Sequence, residues 1–205
     1  MNHLAHFHLS WPTESLIVGA LEGDFHRGSL PGELNPFLVE GVALHRAVDG
    51  FTDRHPMLDQ ARAAFPEGTR RYAGIMMDLS FDYFLARHWS AYSDLPLEAF
   101  TEQVYGILER ATGELSHPAR RAAAWLMDHD VLTRYRHWPT VIAAAERVGE
   151  RLNHDNPLHR AADILNPLAD ELEQTFLQFY PELIRFSLNN AKLATPQQNT
   201  QGAPD

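Results

Sequence analysis

Cysteine is absent from this chain of 205 residues, in which Cys is 0. The absence excludes a disulfide scaffold, a thiol nucleophile and any cysteine-based zinc or iron–sulfur site. Any metal chemistry must therefore use histidine, aspartate and glutamate. A chain of this length buries roughly 70% of the surface that its unfolded form exposes, so a sizeable core needs no covalent or metal staple.

Long hydrophobic runs are also missing. No stretch approaches the roughly 20 apolar residues that cross a bilayer. Residues 1–19 lack the basic segment and the long apolar segment of a signal peptide. We therefore expect a cytoplasmic protein with no membrane partner.

Positive charge is scarce, with 17 basic residues against 27 acidic ones and a net charge of -10. Lys192 is the single lysine. This balance disfavours general attraction to nucleic acid, which a protein binds through Lys and Arg contacts to phosphate. We expect no nucleic-acid partner.

What the sequence does contain is hydrophobic residues at helical spacing, without alternating strand patterns. The pattern predicts helices over residues 39–51, 69–92, 96–111 and 118–127, and a final helix from about residue 166. Pro181 is expected to kink or restart the final helix. We predict one compact all-α domain of about seven or eight helices over residues 1–190, followed by a disordered polar tail over residues 191–205.

The helix over residues 39–51 carries the first candidate site. Its apolar pattern predicts a buried face formed by Val39, Val42, Ala43 and Val48. His45 and Asp49 are four residues apart, so an imidazole and a carboxylate about 5 to 6 Å apart at Cβ can converge on one ion. A surface ion pair is the ordinary explanation of this spacing. Asp53 follows just past the expected end of the helix.

Asp78 and Asp82 form a second pair at the same spacing, within a strongly apolar helix. Two carboxylates on one such face repel each other unless a cation or a shared proton lies between them. Metal binding and catalysis are therefore candidate roles for this pair. A buried aspartate that caps a neighbouring helix or pairs with arginine is the alternative.

The amino-terminal segment contributes His3, His6 and His8. On an extended segment His6 and His8 would point the same way, whereas on a helix His3 and His6 would be neighbours. Asp24 lies between Gly23 and Gly28, at a break after an apolar stretch, where aspartate also serves as a turn or cap residue. Together these segments offer nitrogen and oxygen ligands suited to Mg²⁺, Mn²⁺ or another first-row ion.

Five blocks of the sequence together resemble the acyl carrier protein phosphodiesterases. They are MNHLAHFHLS, GALEGDFHRG, GVALHRAVDGFTDRHP, RRYAGIMMDLSFDYFLARHW and FLQFYPEL, in this order from the amino terminus to about residue 188. The resemblance implies a mostly helical hydrolase, distantly related to the HD-type metal phosphohydrolases and dependent on a divalent cation, with Mn²⁺ favoured. It also implies an acidic protein substrate, holo-acyl carrier protein, from which the 4′-phosphopantetheine arm is removed to leave the apo-protein.

The resemblance implies a set of site residues. The metal ligands are expected among Asp24, His45, Asp49, Asp78 and Asp82. Catalytic roles are expected for His6, His8, Arg46 and Asp53, with Arg46 facing the phosphate and a histidine protonating the leaving oxygen or completing the metal shell. Tyr83 departs from the family pattern, in which we expect a histidine after the second aspartate of this helix.

A net-negative enzyme needs a local basic surface to dock an acidic protein. Candidate docking residues are Arg70, Arg71, Arg134 and Arg136. Two other hypotheses fit the same sequence. An HD-like phosphohydrolase of a nucleotide or another small phosphodiester would use the same ligands, and a non-catalytic helical binding protein would use the acidic pairs only as helix caps.

Overall fold

The structure is a computed structural model that describes residues 1–26, 28 and 34–194. These residues form eleven α-helices and no β-strand: α1 His3–Ser10, α2 Glu14–Gly23, α3 Pro36–Asp53, α4 Pro56–Ala64, α5 Ala73–Arg87, α6 Leu97–Arg110, α7 His117–Asp128, α8 Val131–Arg134, α9 Trp138–Arg151, α10 Ala161–Leu165 and α11 Ala169–Ala194. The prediction of an all-α fold is confirmed. The count exceeds the expected seven or eight in part because α8 and α10 are separate pieces of only 4 and 5 residues.

Local capping fixes where the longer helices begin. At α3, the Asn35 side chain accepts a hydrogen bond from the backbone N–H of Phe37, and Pro36 occupies the first helical position, where its missing N–H costs nothing. At α7, the Ser116 side chain accepts from the backbone N–H of Ala119. Helix α3 therefore starts three residues earlier than the apolar pattern indicated.

The pair α2 and α3 makes the most extensive contact between described elements. A Cβ added at Gly19 would lie 2.6 Å from the Cα of Gly41, and one added at Gly41 would lie 2.7 Å from the carbonyl oxygen of Ser15. Only glycine allows the two backbones to approach this closely. The crossing brings the end of α2, where Asp24 lies, alongside the middle of α3.

This crossing also decides which face of α3 is buried. Val42 and Val48 are buried as predicted, but the predictions for Val39 and Ala43 are wrong because both are exposed. The buried face is Leu38, Gly41, Val42, Leu44, His45, Val48 and Thr52. The contact with α2 at Gly41 determines which face of α3 is buried. Gly41 and His45 are therefore buried, whereas the apolar pattern predicted Val39 and Ala43 at buried positions.

The carboxy-terminal helix α11 packs on α3, α4 and α5. Its aromatic residues Phe176, Phe179 and Tyr180 are fully buried. The helix runs through Pro181 without restarting and continues to Ala194, so the first four residues of the predicted tail are helical. Residues 195–205 lie outside the described part of the chain, and the domain boundary at residue 190 stays a prediction.

Among the described helices, none has the length and apolar character that crossing a bilayer requires.

Candidate metal centre

An acidic cavity of about 390 Å³ opens where the start of α1, the end of α2, α3 and α5 meet. We call it the acidic cavity. It is lined by Met1, Asn2, Asp24, Asp49, Asp53, Ile75, Asp78, Leu79 and Val148. Four of these residues are aspartates. Packing in a hydrophobic core does not explain this concentration of acidic side chains.

His6, His45 and Asp49 form a compact triad at this cavity. Nε2 of His6 lies 3.1 Å from Oδ1 of Asp49, and Nε2 of His45 lies 3.2 Å from Oδ2 of the same carboxylate. Each residue offers one ligand atom, and these atoms all lie within 4.8 Å of one another. The two histidines are buried, whereas the aspartate is 41% exposed. A metal ion could therefore reach the triad from solvent.

Asp24 extends the triad from the end of α2. Its two oxygens lie 3.6 Å from Nε2 of His45 and 3.4 Å from Nδ1 of His3. The preceding residue, Gly23, leaves room for the imidazole, because a Cβ there would lie 2.5 Å from Cγ of His45. The α2 and α3 crossing thus places a second carboxylate beside the same histidine.

Asp78, from α5, faces the cavity from the opposite side. Its Oδ1 lies 3.0 Å from the α-amino group of Met1, which also lies 3.6 Å from Oδ1 of Asp49. Burial lowers the pKa of this amine, but the attraction of Asp78 and Asp49 outweighs it and raises the pKa to about 10. The ammonium group therefore bridges the two carboxylates and supplies positive charge inside the acidic cavity.

The protonation states suit a cation. Burial and the neighbouring His45 lower the pKa of His6 to about 4, so that its ring is neutral at pH 7. Burial acts to raise the pKa of Asp49, but the hydrogen bonds with His45 and His6 hold it well below its usual range. Neutral imidazole and ionised carboxylate are the forms that bind metal ions.

Asp82 does not line this cavity. Its carboxylate is completely buried and accepts hydrogen bonds from the backbone N–H groups of Leu4, at 2.9 Å, and Ala5, at 3.1 Å. These are donors in the first turn of α1 that have no partner within the helix. Burial raises the pKa of Asp82 to about 7, against the opposing effect of these two hydrogen bonds. Asp82 therefore caps the first turn of α1 and holds this helix against α5. This arrangement is the alternative to metal binding that the sequence analysis gave for the pair.

His8 is likewise not brought to the triad. Nδ1 of its ring lies 2.8 Å from the hydroxyl of Tyr180, and Nε2 lies 3.0 Å from the carbonyl oxygen of Tyr92. The ring packs edge-on against Trp89. Because α1 is helical, His6 and His8 point in different directions, and both nitrogens of His8 are engaged within the core.

Arg46 and Asp53 have different positions around the site. Arg46 does not line the cavity, and its Nη2 donates to the carbonyl oxygen of His26 at 2.9 Å. Asp53, the last residue of α3, lines the cavity and is 77% exposed at its rim. Tyr83 packs edge-on against Trp138, with ring centroids 5.0 Å apart, and does not line the cavity.

The four candidate docking arginines do not form one patch of equivalent groups. Arg70 donates from Nε to the carbonyl oxygen of Phe65, and Arg136 pairs with Glu98. Arg71 lies over the ring of Tyr72, in the 3₁₀ turn Arg70–Tyr72 that leads into α5. Arg134 lies in a different cavity, between α7, α8 and α9.

Sequence reasoning did not assign a site role to His3 or to the Met1 amine. The spacing of His3 and His6 on a helix was the available signal for the first, because residues three apart lie on one face. No side-chain pattern in the sequence indicates a role for the Met1 amine. Its role depends on the three-dimensional position of the amino terminus between α3 and α5.

Comparisons with known proteins agree with the resemblance in the sequence. The family model described as acyl carrier protein phosphodiesterase matches residues 1–183. A protein of Escherichia coli O45:K1 with that name is 35% identical over 189 residues, which cover 90% of this chain and 96% of the relative. Relatives of the same name from Serratia proteamaculans and Pectobacterium atrosepticum are 34% and 31% identical, over 90% and 91% of this chain and 96% and 97% of their own lengths. No solved structure matches the chain.

These matches cover the helices that build the acidic cavity. The family model spans the triad, Asp24, Asp53 and Asp78. The match to the curated relatives is nearly complete on both sides. The prediction of the family from the five sequence blocks is therefore confirmed, and the chain belongs to the acyl carrier protein phosphodiesterase family.

Proposed function

We propose that this protein hydrolyses the phosphodiester bond between the serine of holo-acyl carrier protein and its 4′-phosphopantetheine arm, using a divalent cation at the triad. The observation that carries this proposal is the convergence of His6, His45 and Asp49, whose ligand atoms lie within 4.8 Å of one another. Membership of the phosphodiesterase family supplies the reaction class. The acidic cavity supplies the place.

The donor set fits a divalent cation. His6, His45 and Asp49 would hold it, with Asp24 and Asp78 as further carboxylate donors at the same cavity. A mixture of imidazole nitrogen and carboxylate oxygen suits first-row ions better than Ca²⁺ or Mg²⁺, which favours Mn²⁺ over Mg²⁺. When bound, such a cation polarises a phosphoryl oxygen and lowers the pKa of a coordinated water.

Asp53 has a separate role in this proposal. Its carboxylate lines the cavity at the solvent-exposed rim and is not part of the triad. It is placed to accept a proton from the attacking water, while the new oxygen bond forms at phosphorus, the bond from phosphorus to the serine oxygen breaks, and the serine oxygen takes up a proton from solvent. His8 and Arg46 take no part in this step, because the ring nitrogens of His8 and the Nη2 of Arg46 are bonded elsewhere in the fold.

Among the four candidate arginines, we assign docking of the acidic protein substrate to Arg71. Arg71 is in the 3₁₀ turn Arg70–Tyr72 directly before α5, and Ile75 and Asp78, in the first two turns of α5, line the acidic cavity. A guanidinium group at this end of α5 can therefore meet acidic side chains of a protein whose serine-linked phosphate is in the cavity. Arg71→Glu should raise KM for the protein substrate and alter its salt dependence.

Intact-mass measurement of holo-acyl carrier protein tests the reaction. The substrate is incubated with the enzyme and Mn²⁺, with the enzyme and a chelator, and with Asp49→Asn. Asp163→Asn is the matched control, since Asp163 is an exposed residue of α10 that pairs with Arg160 and does not line the acidic cavity. We expect loss of the phosphopantetheine mass only with Mn²⁺ and only with the wild type and the control. Loss of the phosphopantetheine mass in the chelated sample would refute the metal dependence. No loss of this mass with any divalent cation would refute the phosphodiesterase activity.

The location of the protein in the cytoplasm stays a prediction from the sequence.

A further inference from the structure

A second cavity, of about 450 Å³, lies between α7, α8 and α9. We call it the basic cavity. Its basic lining residues are His129, Arg134, His137 and Arg147, and neither an aspartate nor a glutamate lines it. In a protein with a net charge of -10, such a concentration of basic groups is unexpected from composition.

Small side chains on α9 create the space. Thr140, Ala143, Ala144 and Arg147 share one face of this helix and line the cavity, and the two alanines occupy little of its volume. Buried Tyr135 closes the cavity from within. The size falls within the roughly 300 to 1,000 Å³ of ordinary small-molecule pockets.

The cavity combines charge with an aromatic wall. The guanidinium carbon of Arg147 lies 5.2 Å from the ring centroid of Trp125, and the ring of His129 lies 5.4 Å from the same indole at an angle of 30°. The described carboxylates form ion pairs with Arg62, Arg87, Arg110, Arg136 and Arg160, but none pairs with Arg134 or Arg147. These two guanidinium groups therefore remain able to bind an anion from solution.

We propose that the basic cavity binds a small organic phosphate. Guanidinium groups pair with phosphate oxygens through parallel N–H donors, which suits Arg134 and Arg147. Trp125, Ala143 and Ala144 provide apolar contact for the body that carries the phosphate. An inorganic anion would use only the charges, and a neutral ligand only the apolar wall.

A structural connection links this cavity to the acidic cavity. The side-chain amide of Asn2, which lines the acidic cavity, donates a hydrogen bond to the hydroxyl of Tyr135, which lines the basic cavity. On α9, Val148 faces the first cavity and Arg147 the second. The product 4′-phosphopantetheine is a phosphate monoester next to an apolar gem-dimethyl group, so it is one source of the ligand; this identification rests on the proposed function. A nucleoside monophosphate is the other source.

Tryptophan fluorescence tests binding in the presence of a chelator, where the acidic cavity holds no metal. The probes are 4′-phosphopantetheine, AMP, inorganic phosphate and uncharged pantetheine. We expect one of the two organic phosphates to bind at least about tenfold more tightly than inorganic phosphate and pantetheine, and the signal to be lost in Trp125→Phe. The better of the two organic phosphates identifies the source.

Arginine variants decide whether the cavity is responsible. Arg134→Gln and Arg147→Gln should each weaken binding by about tenfold, because each removes hydrogen bonds to a charged group. Arg151→Gln is the matched control, since it makes the same change on α9 without lining the cavity. Equal affinity in all three variants, or no binding of either organic phosphate, would overturn the proposal. Weaker binding of holo-acyl carrier protein alone would identify a protein-docking surface and would also overturn it. Hydrolysis is measured separately, so a failure of the proposed function leaves this binding result intact.

Discussion

The imidazole rings of His6 and His45 are stacked, with their centroids 4.0 Å apart and their planes inclined by 17°. Both rings direct Nε2 to the carboxylate of Asp49, one to each oxygen. Nitrogen and oxygen atoms at this separation are held together by a shared proton or by a cation, because their lone pairs otherwise repel. The buried Nδ1 of His45 has no hydrogen-bond partner among the described residues, so its ring is oriented mainly through Nε2.

Asp49→Asn should therefore abolish metal binding at the triad. The substitution removes the charge that both imidazoles face, and loss of a ligand should weaken Mn²⁺ affinity by at least about 100-fold, since even residues behind the ligands contribute 10-fold or more. Calorimetric titration with Mn²⁺ measures this change, with Asp163→Asn as the exposed control. Unchanged affinity in Asp49→Asn would remove the triad as the metal site.

The stability of the metal-free protein should depend on pH through His6. The ordinary histidine pKa is 6.5, and burial with the neighbouring His45 lowers that of His6 to about 4. Between these values the unfolded chain holds a proton on this ring that the folded chain lacks, so stability decreases as pH falls through this window. The slope for one group is about 1.4 kcal/mol per pH unit, or about 3 kcal/mol in total.

Comparison with His6→Gln isolates this effect. Asp82 acts in the opposite direction, because its pKa is raised to about 7 and the folded chain keeps a proton that the unfolded chain releases above the ordinary value of 3.8. Asp82 is present in both proteins, so its contribution cancels in the difference. Urea unfolding with a chelator from pH 4.5 to 7 should show the wild type losing stability relative to the variant. Parallel curves would contradict the pKa argument.

Asp82→Ala should affect folding rather than metal binding. The substitution leaves the N–H groups of Leu4 and Ala5 buried without acceptors, which costs about 2 kcal/mol each. Ser80→Ala, on the same helix, is the control, because its hydroxyl bonds only to the carbonyl oxygen of Met76 within α5, and its loss should cost less than about 1 kcal/mol. Urea unfolding gives the stability, and metal analysis of the folded protein gives the stoichiometry. Loss of metal with stability intact would make Asp82 a ligand.

The pair Asp78 and Asp82 shows what spacing alone can and cannot predict. Four residues on a helix correspond to a turn of roughly 400°, so the two carboxylates share a face. In the structure this face meets two different neighbours, since Asp78 contacts the Met1 amine at the cavity and Asp82 contacts the backbone of α1. Which neighbour each carboxylate meets depends on where α1 crosses α5, and that crossing is a tertiary property.

His45 and Asp49 were easier to predict because both partners lie on one helix. The all-α class followed from hydrophobic periodicity for the same reason, since it is a local property. His6 and His8 were harder, because an extended segment would place them together and the helix α1 separates them. Arg46 follows His45 directly in the chain, yet its guanidinium bonds to the carbonyl oxygen of His26, in the segment that follows α2. Local pattern predicts faces of helices, but not the partners that those faces meet.

Gly23 offers a way to disturb the site without changing any ligand. A Cβ on this residue would lie 2.5 Å from Cγ and 2.7 Å from Cδ2 of His45, so Gly23→Ala must displace the ring. We expect Mn²⁺ affinity to fall by about tenfold or more and stability to fall by about 1 to 3 kcal/mol, the usual cost of overpacking. Gly74→Ala is the matched control, because nothing lies within 4 Å of a Cβ at that position of α5. The control should gain up to about 1 kcal/mol from better helix propensity and bind Mn²⁺ as the wild type does. Equal Mn²⁺ affinity in both alanine variants would mean that His45 does not contact the metal.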